Sequence, residues 1–454
     1  MSFAEVRCVS TSTVRPASYN ETTQQIELAS WDLMCLRIHY MQKGLLFTKP
    51  KQEEEEANMI ISHLKTSLSY TLDHFFPLAG RLGITKHDDD NTISIYINCN
   101  SAGVEFIHAA ADITVADILT PTYVPRIVDS FFSLNGVMNY EGQSQPLLSV
   151  QVTELIDGIF IGCSINHSVC DGTSFWHFIN SWSEISRGSS SNHISRPPVL
   201  KRWFLNNTDF PIHLPYSSID EMFPEKYIPA PFEEKGFHFT RENIARLKAK
   251  ANSEIETDHN NISSLQALLA HVWVAVTRAR CLDPNEETRY LVVMGNRTRL
   301  NPPLPETYFG NSVGLGIATA KAGELINRGF GWGASLLNEA VISHDDTSIR
   351  SMLKSWMEKP IVPSVNNDWV SNTLTARSSP RFNMYGNDFG WGRPIAVRTG
   401  MSDKYDGITT LSPGPVEGSV DIEVCLPVEK LKAIEDDVEF MEAVTVLPPF
   451  LQIV

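Results

Sequence analysis

The chain has 454 residues and a mass of 50.8 kDa, too long for one ordinary core of about 100 to 200 residues, so two domains are expected. It is 42% hydrophobic and 20% charged, the composition of a folded protein, and 37 Lys and Arg against 53 Asp and Glu leave a formal charge of −16 at pH 7. Such a surface repels nucleic-acid phosphates and anionic lipid, which excludes nucleic acid as the main partner and requires a local basic patch for any anionic substrate.

The first twenty residues lack an apolar core of the kind found in secretory leaders, and no stretch approaches the roughly 18 apolar residues of a membrane span. A cytosolic protein is expected. The seven cysteines (Cys8, Cys35, Cys99, Cys163, Cys170, Cys281, Cys425) are odd in number, scattered and without a C-x-x-C pair, a pattern of reduced thiols rather than disulfides or a zinc site.

In chain order, the acidic run Glu53 to Glu56 leads into Ala57 to Phe76, where Ile60, Ile61, Leu64, Leu68, Leu72 and Phe75 repeat at helical spacing. Leu147 to Leu155 and Gly158 to Asn166 are apolar, β-branched runs joined at Ile156-Asp157, which predicts a hairpin. Thr173 to Ser186 carries Phe175, Trp176, Phe178, Ile179, Trp182 and Ile185 at helical spacing and is stopped by Gly188, so His167 to Gly172 is a short strand-to-helix loop. From Arg187 to Pro231 the chain is polar, punctuated by Gly and Pro, and free of periodicity. The division drawn there is residues 1–190 as a first domain, 191–231 as a crossover linker and 232–454 as a second domain. Beyond the linker, helices are predicted at Thr240 to Ala251 and Ser263 to Ala279, strands at Arg289 to Asn296 and Gly418 to Leu426, and a closing helix from Val428.

Two glycine-rich patterns lack the context their chemistry needs. Gly310-Asn311-Ser312-Val313-Gly314 matches a nucleophile elbow, but a strand-like segment follows the serine where a helix is required. Gly329-Phe330-Gly331-Trp332-Gly333 follows no strand and misplaces its third glycine for dinucleotide binding, so it reads as a turn opening a helix. The spacing H-x-x-x-D occurs at His108 with Asp112 and at His167 with Asp171. No glycine turn adjoins His108, which reads as structural, whereas His167 follows a buried strand and precedes Gly172.

A histidine, with an ordinary pKa of about 6.5, takes a proton from an alcohol or amine as that group attacks a carbonyl, then returns it to the leaving group. No protein nucleophile is required. Asp171 either orients the imidazole as in a triad or turns away to hold the loop through a cation. A core histidine with a loop-capping aspartate is the alternative.

Taken together, His167-Ser168-Val169-Cys170-Asp171-Gly172 and Asp388-Phe389-Gly390-Trp391-Gly392 resemble the paired signatures of the plant BAHD acyltransferases. Phe76 to Leu82, Ala270 to Trp273, Asn296 to Leu300 and Tyr308 to Asn311 are similar to further family blocks, so the resemblance spans nearly the whole chain. It implies an α/β, two-domain chloramphenicol-acetyltransferase-like fold with mixed sheets, a long crossover loop and a channel between domains. It also implies acyl-CoA as co-substrate, no permanently bound cofactor or metal, a small-molecule acceptor and a monomer. On that resemblance His167 is the general base, Asp171 turns away to pair with Arg297, and Gly172 completes the loop. Asp388, Gly390, Trp391 and Gly392 are expected to be structural.

For coenzyme A, Ser263 and Ser264 at a helix start, with Arg241 and Lys248 before them, are candidate contacts. The segment Ala376 to Phe382 lacks the tryptophan that hydroxycinnamoyl-transferring relatives carry upstream of D-F-G-W-G, which favours a small donor such as acetyl-CoA. The leading expectation is O-acyl transfer to a plant specialised metabolite. N-acyl transfer, a lyase or hydrolase working without coenzyme A, and a silent ligand-binding protein are the alternatives.

Overall fold

The computed structural model describes residues 5–18, 24–49, 55–188, 192–206, 208–222, 228–255, 262–363, 370 and 372–445. The first half runs β1 (Val6–Val14), β2 (Gln24–Glu27), α1 (Ser30–Leu33), β3 (Met41–Thr48), α2 (Glu55–His74), β4 (Arg81–His87), β5 (Thr92–Cys99), β6 (Val104–Ala111), α3 (Val115–Leu119), β7 (Leu148–Glu154), β8 (Gly158–Ile165) and α4 (Gly172–Arg187). After the crossover come β9 (Glu233–Phe239), α5 (Arg241–Ser253), α6 (Ser264–Arg280), β10 (Glu287–Gly295), β11 (Val313–Lys321), α7 (Ala322–Ile342) and α8 (Asp346–Glu358). The chain closes with β12 (Thr373–Ser378), β13 (Ala396–Thr399), β14 (Ile408–Pro413), β15 (Val420–Leu426), α9 (Val428–Glu435) and α10 (Val438–Met441). Within the acidic run that precedes α2, Glu53 and Glu54 lie outside the described residues.

Two six-stranded sheets dominate, ordered β1-β6-β7-β8-β3-β13 and β11-β10-β12-β14-β15-β9, beside a small sheet β2-β5-β4. Both large sheets are mixed: β6 with β7, β10 with β12 and β12 with β14 are parallel, and the remaining pairs antiparallel. The hairpin expected from Leu147 to Asn166 is β7 and β8, and every residue of β8 is buried. That burial is why β8 reads as a continuous apolar run rather than an alternating one. On α2, Ile61, Leu64, Leu68 and Leu72 form the buried stripe; α2 packs on α4 with a bond from Trp182 Nε1 to Ser67 Oγ at 3.0 Å, and Phe75, just beyond α2, meets Phe178.

The halves are interleaved. Strand β13, from the far end of the chain, pairs with β3 in the first sheet, and Met384, Phe389 and Val397 belong to the first core. The crossover is also docked: Arg202 is buried, and Val199 bridges Tyr308. Gly329 (φ 82°) breaks α7 into two helical segments, so the Gly329 to Gly333 run does open a helix. His108 is buried within β6 and hydrogen-bonded to Glu154 at 2.6 Å. Among the described residues no helix is long and apolar enough to cross a membrane.

Candidate active site

The His167 loop is built from backbone groups satisfied by asparagines. Asn166 Nδ2 donates to Asn139 O at 2.7 Å, and its Oδ1 accepts from Ser168 N at 3.0 Å. The His167 N–H donates to Asn139 Oδ1 at 2.7 Å, and its carbonyl accepts from Asn311 Nδ2 at 2.7 Å. Both peptide groups of the histidine are thus fixed, one from each half of the chain. The Nδ1 atom is buried without a hydrogen-bond partner among the described residues. Nε2 forms no hydrogen bond among the described residues and is not among the fully buried polar atoms.

Asp171 caps α4, accepting from Ser174 N at 3.0 Å. Its carboxylate also takes a two-pronged contact from Arg297, at 2.6 and 2.9 Å, and the Ser312 N–H at 3.0 Å. Arg297 donates further to the carbonyls of Tyr308 and Gly310 at 3.1 and 3.2 Å. Burial pushes the Asp171 carboxyl up, but the Arg297 guanidinium and the N–H donors outweigh it and hold it below the usual carboxylate value. With its oxygens so occupied, Asp171 has no bond to the imidazole, and the geometry is not that of a triad. Ser312 lies just before strand β11 with its N–H on Asp171, so no nucleophile elbow forms there.

A second buried pair flanks the loop, and sequence reasoning missed it. Asp32 and Arg202 approach to 3.1 Å with side chains 0% and 3% exposed. Asp32 Oδ1 accepts from the N and Nδ2 of Asn311 at 3.0 and 2.9 Å, fixing the amide that holds His167. Arg202 Nη2 donates to Val169 O at 2.7 Å, and Nη1 donates to Phe309 O. Burial dominates at Asp32 and raises its pKa despite Arg202. A charged residue in the aperiodic crossover and a lone aspartate in α1 were the available signals, but neither reveals a contact up to 279 residues away.

The Asp388 loop sits at the other end of α4. Phe389 packs on Trp182 and Phe47, and Trp391 stacks on Phe389 and meets the edge of Phe47. Trp182 is eleven residues past Asp171, roughly 16 Å along the helix axis. Asp388 Oδ1 accepts from Gly390 N and Gly392 N at 2.8 and 3.0 Å, closing a turn whose glycines have φ of 114° and 119°. Such angles suit residues without a Cβ. Asp388→Ala is therefore expected to lower stability by about 1 kcal/mol while kcat changes less than threefold, measured by urea unfolding beside turnover.

Ser263 caps α6 in a reciprocal box with Gln266, accepting from Gln266 N at 3.3 Å while its own N–H donates to Gln266 Oε1 at 2.8 Å. Ser264, at the first helical position, and Arg241, at the start of α5, are exposed; Lys248 is half-buried on α5. No hydrogen bond or ion pair joins these four to the His167 loop among the described residues. Gly172 lies against Phe382, whose ring would stand 3.3 Å from an added Cβ, which brings the segment following β12 beside the loop. At the end of β12, Ser378 adopts φ 69°, and its Oγ is buried and without a hydrogen-bond partner among the described residues.

The chain is thus a mixed α/β fold of two interleaved halves that carries His167 on a loop held from both. The Transferase family model matches residues 4–441. A protein of Arabidopsis thaliana described as an uncharacterized acetyltransferase is 40% identical over 444 residues, covering 97% of this chain and 99% of that one. The BAHD acyltransferase DCR of the same plant is 34% identical, covering 96% and 92%. F. sporotrichioides TRI101, solved with coenzyme A and T-2, superposes with a TM-score of 0.72 at 19% identity, covering 93% of this chain and 99% of that one, a likeness in fold. The chain belongs to the plant BAHD family of acyl-CoA-dependent acyltransferases.

Proposed function

We propose that this protein moves a small acyl group, acetyl in the first instance, from acyl-CoA to a hydroxyl of a plant specialised metabolite by direct attack, with His167 as general base. The observation that carries the reading is the His167 ring, whose Nε2 forms no hydrogen bond among the described residues while the loop's carboxylate, Asp171, is fully engaged by Arg297. Nε2 takes the acceptor's proton as its oxygen bonds to the thioester carbonyl; the tetrahedral intermediate then expels coenzyme A thiolate, which recovers the proton. In this reading the buried Ser378 hydroxyl serves the developing oxyanion. Asp171, Gly172 and Arg297 fix the loop, and Asp388, Gly390, Trp391 and Gly392 are structural. Ser263, Ser264, Arg241 and Lys248 contact the anionic donor. The acetyltransferase name of the Arabidopsis relative supports the small donor, and the coenzyme A bound by the structural neighbour supports the thioester. The division at 191–231, a monomeric state and a reducing, cytosolic compartment belong to the same reading.

The test is a matrix of acyl-CoA donors against plant alcohols and amines, read by thiol release and product mass. Thiol release from acetyl-CoA that depends on an alcohol is expected. Transfer to amines alone would make it an N-acyltransferase, and turnover without any thioester would make it a lyase or hydrolase.

A further inference from the structure

Between its two sheets the −16 chain buries a cluster of four cations among the carboxylates Glu234, Glu423, Asp421 and Asp129. On the face where β3 and β13 meet the second sheet, Lys43 and Thr399 are directly paired, and Thr399 Oγ1 lies 3.5 Å from Glu423 Oε2 of β15. Four cations gather there: Lys43, Arg377, Arg398 and Lys404. Lys404 is matched by Glu234 at 2.5 Å and Arg398 by Glu423 at 3.7 Å, with Asp129 as a further carboxylate beside Lys404. Among the described residues Arg377 donates to neutral oxygens, Thr410 Oγ1 at 3.1 Å and the carbonyls of Ser402 and Asp403 at 3.2 and 3.1 Å. Lys43 is 8% exposed, and among the described residues its ammonium forms no hydrogen bond or ion pair, although it is not among the fully buried polar atoms. Burial, then the neighbouring Arg377, push its ammonium down to about 7 against the pull of Glu423.

A largely buried lysine without an ion-pair partner, beside a second cation bonded to neutral oxygens, is an unfavourable arrangement that an anionic ligand would offset. Lys43 faces Cys163 across the β3–β8 ladder, and His167 lies four residues beyond Cys163, about 13 Å along the strand direction. That span suits one small molecule.

We infer that Lys43 and Arg377 form a carboxylate-binding site for the acceptor, so that this enzyme takes acidic hydroxy compounds in preference to their neutral counterparts. The inference rests on the acyl-transfer reading for the word acceptor, and its test needs no turnover. Full-length wild type and Lys43→Met are melted in malonate and in sodium chloride of equal ionic strength, and 4-hydroxybenzoate and its methyl ester are titrated by calorimetry. Without added anion, Lys43→Met is expected to melt above wild type, because a buried unmatched charge is gone. Malonate is expected to raise the wild-type midpoint and leave the variant unmoved. The wild type is expected to bind the acid at least tenfold more tightly than the ester, with the preference within twofold of unity in Lys43→Met and reduced in Arg377→Gln. A malonate response equal in wild type and Lys43→Met, no malonate-specific response in wild type, or equal wild-type affinity for acid and ester overturns the inference. A site that binds carboxylate in a protein that transfers no acyl group would retain the inference and remove the acyl-transfer reading instead.

Discussion

His167→Ala is expected to lower acceptor-dependent thiol release about 10³-fold, within the range of roughly 10² to 10⁴ for loss of a general base. Stability should change little, because the loop is held through the backbone of residue 167 and not through its ring: the N–H meets Asn139, the carbonyl meets Asn311, and both bonds survive truncation. The Nδ1 atom likewise contributes no hydrogen bond that the variant would lose. Steady-state kinetics beside a urea unfolding curve check both halves of the expectation. A variant with wild-type turnover removes the histidine from the mechanism.

Arg297→Met carries the largest expected loss of stability. It strips a fully buried carboxylate of its cation, with side chains 1% and 8% exposed in the parent pair, and removing one partner of such a pair costs about 3 to 5 kcal/mol. The same change frees the Tyr308 and Gly310 carbonyls, so loop position and activity should fall together. Arg297→Lys should recover only part of the loss, since an ammonium cannot reproduce the two-pronged contact. Combining Arg297→Met with Asp171→Asn should be milder than Arg297→Met alone, because the unmatched charge disappears. In the wild type the folded Asp171 carboxyl lies below its ordinary value, so the pair's contribution is fully present at neutral pH. It declines as acid takes the pH below the ordinary carboxylate value and is lost as the pH falls through the lowered one. Urea midpoints across pH measure it, and in Arg297→Met this part of the acid dependence should vanish.

The strand, turn and helix around His167 were legible because each is a local pattern: the apolar run of β8, the glycine at 172 and the helical stripe from Phe175 to Ile185. The family resemblance rested on the same local blocks. What escaped the sequence is long-range. Nothing near Asp32 or Arg202 indicates that they flank the loop, since burial of an ion pair is decided by segments far apart in the chain. Strand β13 has only four residues, too short for a period to show, yet it ties the last third of the chain into the first sheet. Lys43 stands between Gln42 and Gly44 ahead of the apolar run Leu45 to Phe47 in β3, and nothing local indicates that it is largely buried.

The central claim is direct transfer at His167 with no acyl group held by the protein. Rapid mixing with acetyl-CoA in the absence of acceptor, acid quenching and intact-protein mass measurement test it. The account predicts an unmodified mass and no stoichiometric burst of free thiol. A protein heavier by one acetyl group, formed fast enough to precede turnover and lost on adding acceptor, would contradict it.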